Sequence, residues 1–135
     1  MTEVFATLAR RENPVIQKLA VGWADVTEIS SEVFTRAVVR LKEFRYESLY
    51  GTPLAPGQLH HLLRHLATSG GGEVGLRKLT IRGVDLVEIP AEVLVAAVER
   101  VGEVRLLDAR MSQAQWRRVV ETGTEMVFSG QVDQY

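Results

Sequence analysis

Shifted by 60 residues, the sequence matches itself. Lys18-Leu19 falls on Lys78-Leu79, Asp25 on Asp85, Glu28-Ile29 on Glu88-Ile89 and Glu32-Val33 on Glu92-Val93. Ala37-Val38 then meets Ala97-Val98, Arg40 meets Arg100, Glu43 meets Glu103 and Arg45 meets Arg105. That is 12 identities over the 28 positions 18–45, without a gap. A chain built from copies of one unit buries its apolar faces by stacking each copy on the next, which restricts the fold to a solenoid or a related array.

Residues 76–101, LRKLTIRGVDLVEIPAEVLVAAVERV, show what one copy contains. Leu79 and Ile81 stand two apart, the period of one face of a short strand. Val84 and Leu86 carry the chain round a turn. Val93, Leu94, Ala97, Val98 and Val101 then recur at the three-to-four spacing of an amphipathic helix. Each 60-residue unit holds two such strand–helix repeats. The pattern apolar-x-x-apolar-x-apolar-x-x-apolar occurs at Ile16, Leu19, Val21, Ala24 and at Leu41, Phe44, Tyr46, Leu49. It returns at Leu76, Leu79, Ile81, Val84 and at Val101, Val104, Leu106, Ala109, so the copies start 25, 35 and 25 residues apart.

This pattern, over nearly the whole chain, resembles the leucine-rich repeat family in its long, ribonuclease-inhibitor-like form. The resemblance implies an α/β solenoid: a short right-handed horseshoe with a parallel sheet on its concave face and helices on its convex face. It also implies a non-catalytic module that holds a protein or peptide against the concave sheet. One departure stands out. The family places Asn or Cys where this chain has Ala24, Leu49, Val84 and Ala109, and its single Asn, Asn13, lies elsewhere. The turn's backbone groups are then left to water, to each other or to the helix ends.

Strands are expected at residues 18–21, 43–46, 78–81 and 103–106, with a terminal fifth at 125–128. A helix over residues 2–12, with Phe5, Leu8 and Ala9 on one face, opens the chain halfway through a repeat. Later helices follow Ser30 or Ser31, span 58–67, and start at Pro90 and at Ser112, where Ser-x-x-Gln has capping-box spacing. Gly70, Gly71 and Gly72 mark a surface loop. The whole of 1–135 reads as one domain of two 60-residue units of two repeats each, with a partial repeat at each end. Trp116, in the place of Leu59, is expected in the core.

Sixteen basic against 17 acidic residues leave a net charge of -1, which gives no general attraction to nucleic acid or anionic membrane. No apolar run approaches the ~20 residues that span a bilayer. The N-terminus mixes acid and base and has no signal-peptide block, and there is no cysteine. Both point to the cytoplasm. P-loop, Gly-x-Ser-x-Gly and His-Glu-x-x-His motifs are missing, so neither an enzyme nor a cofactor is expected. His61 and His65 stand at ligand spacing, but no carboxylate accompanies them on that helix and they read as convex and solvated.

Function is therefore sought on the concave face. Its outward positions include Lys18, Glu43, Lys78 and Glu103, a column of alternating charge whose members are expected to neutralise one another. The candidate partner-binding residues are Trp23, Arg45, Glu47, Arg82, Arg105 and Asp108, with Tyr50 a weaker addition. Trp and Arg are the usual anchors of protein interfaces. The alternative is a structural segment of a longer horseshoe in a larger sensor or receptor, with the ligand bound elsewhere. A monomer is expected, or weak self-association through an end, where Val127 and Phe128 lie near an open sheet edge.

Overall fold

In a computed structural model, residues 5–7, 9, 17–22, 29–47, 56–68 and 76–133 are described. Strands and helices alternate: β1 (Lys18–Gly22), α1 (Ser31–Val39), β2 (Glu43–Glu47), α2 (Pro56–Thr68), β3 (Lys78–Arg82), α3 (Ala91–Arg100), β4 (Glu103–Met111), α4 (Gln113–Thr122) and β5 (Val127–Val132). The five strands form one parallel sheet in sequence order. Phe5, Ala6, Thr7 and Ala9 are helical, in line with the expected first helix, whose remaining residues lie outside the described set.

The strand register follows the repeat. Leu19, Phe44, Leu79 and Val104 lie side by side on successive strands, as do Val21, Tyr46, Ile81 and Leu106. Except for half-buried Leu19, both rows are buried on one face, where they meet Phe34, Leu62, Leu66, Leu94 and Val98 of the helices. Neighbouring helices pack on one another along the same side. The opposite face of the sheet carries no helix among the described residues, so the strands present an open surface there.

Local chemistry sets the helix ends. Ser30 caps α1 by accepting the Val33 N–H at 3.2 Å. Ser112 and Gln115 form the full capping box of α4, which Gly123 closes at φ 68° in the left-handed region. Phe5, Phe34 and Phe44 form a three-ring cluster under the first repeats, with centroids 5.5–6.2 Å apart. Among the described residues no helix is long and apolar enough to cross a membrane.

The turns after the strands are held by a device absent from the motif reading. Gln58, on α2, donates its side-chain N–H to the Ile29 carbonyl at 2.7 Å. Gln115, on α4, donates in the same way to Ile89, 60 residues on, and also to Leu86. Both glutamines are buried. A glutamine from the following helix thus ties down the backbone just before the preceding helix. The offset between Gln58 and Gln115 is 57 rather than 60 because the turn after β2 is three residues longer. In the second unit the turn also extends the ladder, with Leu86 N–H bonded to Arg110 O and Arg110 N–H to Val84 O.

Two expectations need correction. The last strand runs over Val127–Val132 rather than 125–128. It follows an extended β4, with a register shift between Leu106 and Ala109. Trp116 is 39 % exposed, not core. Its counterpart Leu59 is buried within the stack, where α3 packs on α2, whereas no described helix follows α4.

Gly130 is the tightest point of this end. At φ 137° its backbone lies where L side chains rarely go, and a Cβ there would sit 2.0 Å from the Ala109 carbonyl oxygen. Backbone strain of about 1–3 kcal/mol would add to the steric clash. Gly130→Ala is therefore expected to detach β5, read as loss of amide-exchange protection at Gln131 and Val132 while Phe44 and Leu79 keep theirs.

Candidate functional site

The open face of the sheet is a lattice of charge generated by the strand period. Residues at alternate positions point away from the helices, and the parallel register sets like positions next to each other. The first column reads Lys18, Glu43, Lys78, Glu103, with successive ion pairs at 3.6, 3.9 and 3.8 Å. The second column reads Ala20, Arg45, Thr80, Arg105 and Val127. Thr80 shares this column but is buried between its register neighbours Arg45 and Arg105.

Of the candidate residues, five are brought onto this face together. Arg45 pairs with Glu47, which also lies 3.8 Å from Arg82. Arg82 donates to Asp108 at 2.7 Å. Arg105 pairs with Glu103 at 3.4 Å. The chain Arg45–Glu47–Arg82–Asp108 therefore crosses from β2 through β3 to β4. Trp23 and Tyr50 lie outside the described residues.

Asp108 occupies its place by a backbone irregularity. Where β4 and β5 slip register, Asp108 adopts φ 48° and its N–H is accepted by Ser129 Oγ at 3.2 Å. A non-glycine residue in the left-handed region is held there by its surroundings, and such positions cluster where a side chain has been re-aimed. Here the result is a carboxylate on Arg82.

Farther along the strands, Arg110 is clamped by Asp133 at 2.8 and 3.0 Å and by Asp85 at 3.5 Å. The hydrogen bonds that Arg110 donates to Asp133, and then the charge of Asp133, raise the Arg110 pKa above the ordinary guanidinium value. Arg110 and Asp85 border a cavity of about 390 Å³ with Gly57, His60, Val87, Glu88 and Ile89. This cluster was not singled out in the sequence. Its signal was Asp85, an exposed residue that repeats Asp25 at the 60-residue shift.

Each of these ion pairs has at least one exposed partner, and each contributes only about 0–1 kcal/mol to stability. Together they fix side-chain positions more than they hold the fold. Among the described residues this part of the face interleaves the cations Lys18, Arg45, Lys78, Arg82 and Arg105 with the anions Glu43, Glu47, Glu103 and Asp108. It is a mixed pattern rather than a field of one sign. Among the described residues no three His, Asp or Glu side chains are grouped to hold a metal ion. His61 is not simply a solvated side chain: its Nδ1 is 2.9 Å from the hydroxyl of buried Thr35, tying α2 to α1.

No protein-family model, curated protein or solved structure matches this chain.

Proposed function

We propose that this is a leucine-rich repeat solenoid of the long-repeat type, a short right-handed horseshoe whose concave sheet binds a protein or peptide without catalysis. The reading rests on the open face: strands in register present a continuous polar surface on which Arg45, Arg82 and Arg105 are exposed at 54, 36 and 47 % of their side chains. Arginine contributes forked hydrogen bonding to carboxylates, and Glu47, Glu103 and Asp108 repel a partner whose acids fall in the wrong register. Recognition of this kind selects a charge pattern, which suits a polypeptide better than a uniform polyanion. Trp23, which follows β1, supplies the apolar anchor.

The test is selection of peptides against the chain, with the winners retested on variants. Arg45→Glu with Arg105→Glu is expected to weaken binding at least about tenfold, and Trp23→Ala by about 2 kcal/mol. Arg64→Ala, on the helical side, is the control. Binding that survives the arginine pair but is lost with Arg64→Ala would place the partner on the helices and overturn the reading. A lower melting temperature for Trp23→Ala with unchanged affinity would make Trp23 a cap on the sheet instead of an anchor.

A further inference from the structure

The β5 end of the stack differs from every internal layer. Trp116 is 39 % exposed, Val120 60 % and Val127 47 %, and the Trp116 ring lies 6.0 Å from that of half-buried Phe128. Helix α4 and strand β5 thus share one apolar end face. Among the described residues no strand pairs with the outer edge of β5, so its backbone donors and acceptors on that side are open. An open edge beside apolar side chains is a template for another strand.

We infer that this face docks a second copy of the same chain, head to tail, with β5 of one molecule alongside β1 of the next. Three features select that occupant. Each buried row already runs to both ends of the sheet, and the register Leu106 to Phe128 continues the row that starts at Val21. In a parallel junction Phe128 falls in register with Val21 and Met126 with half-buried Leu19 of the neighbour, so the apolar rows continue across the contact.

Charge gives the second feature. Glu125 precedes Val127 by two residues, as Glu103 precedes Arg105, so two acids end the alternating column. Lys18 begins the column with its side chain 78 % exposed. Stacking places Lys18 of the neighbour next to Glu125 and restores the alternation.

The third feature disfavours the symmetric solution. Antiparallel pairing of β5 with β5 brings Glu125 toward Asp133 of the other copy, like against like. A head-to-tail contact is not closed by two molecules, so assembly continues with concentration instead of stopping at a dimer.

Sedimentation equilibrium of the 135-residue chain from about 10 µM to 1 mM tests this, a range set by the weak affinity expected of one strand edge. The expected result is a mass average that rises past two protomers without a plateau. Val127→Lys should shift the rise to at least about tenfold higher concentration, because lysine blocks edges. Val120→Lys, on the exposed face of α4, should do the same and guards against misfolding of the strand variant; circular dichroism checks both. Equimolar mixing of Glu125→Lys with Lys18→Glu should assemble more strongly than either alone. A plateau at two protomers would overturn the inference in favour of a symmetric contact. A monomer throughout would overturn it as well, leaving a further repeat of a longer array as the natural cover. Assembly unchanged in both lysine variants would show that the contact lies elsewhere.

Discussion

Phe34→Ala is expected to lower the unfolding free energy by about 3–5 kcal/mol. The ring is fully buried and stacks on Phe5 at 5.5 Å while meeting Phe44 edge-on at 5.9 Å. Truncation removes both aromatic contacts and leaves a cavity bounded by a helix, the neighbouring helical segment and a strand, which cannot all collapse inward together. A domain of this size has roughly 5–15 kcal/mol in total. Chemical denaturation is the measurement, and the midpoint should fall by a large part of its value. Because repeats contact chiefly their neighbours, the loss should begin at the β1–β2 end. Amide exchange should therefore quicken at Val21 and Tyr46 before Leu106. An unfolding free energy within about 1 kcal/mol of the parent would mean that the cluster is not the core of this end.

The second large effect is expected at Gln115. Its amide donates to the carbonyls of Leu86 and Ile89, and its Oε1 accepts the Ser112 N–H at 2.8 Å, all with the side chain 1 % exposed. Gln115→Leu keeps the bulk and abolishes three hydrogen bonds, stripping the Ile89 carbonyl and the Ser112 cap N–H of this partner, while the Leu86 carbonyl keeps the Ile89 N–H at 2.9 Å. Each such group costs about 1–3 kcal/mol when left unsatisfied, so a loss of about 3–5 kcal/mol follows. Gln115→Glu sharpens the test. The introduced carboxylate is buried against two carbonyl oxygens, so its folded-state pKa must lie above the unfolded value of about 4.3. That variant should be least stable at neutral pH and should regain stability as pH falls through the raised pKa toward the unfolded one. A flat pH profile for Gln115→Glu relative to the parent would show that the side chain is not aimed at the turn. Gln58, which donates to the Ile29 carbonyl from the matching helix position, should show an effect of the same sign.

The alternation of strands and helices was legible because it rests on local spacing. Leu79 and Ile81 stand two apart, Leu94 and Val98 four apart, and these periods have few other solutions. The strand register was legible for a different reason: the apolar strand pattern returns after 25, 35 and 25 residues, and stacked copies set its equivalent positions side by side, so Phe44 had to meet Leu19 and Leu79. The charged column from Lys18 to Glu103 follows from that register. The glutamine ties were less visible. Gln58 and Gln115 occupy matching helix positions, but a polar residue there reads as surface until the helix is rotated onto the turn before it.

What the sequence determined by itself, then, was whatever depends on period: the elements, their order, the rows of the core and the sequence of charges along the open face. Tertiary structure decided whatever depends on which neighbour is present. Trp116 and Leu59 hold the same place in their helices, yet one lies half in water and the other is buried, because α3 covers α2 and no described helix covers α4. Thr80 is hidden on a face that displays its column neighbours, because long side chains flank it on both strands. Asp108 reaches Arg82 only through the slip between β4 and β5, which a strict two-residue alternation does not contain. Burial is a property of pairs of surfaces, and a single chain's spacing specifies only one surface of each pair.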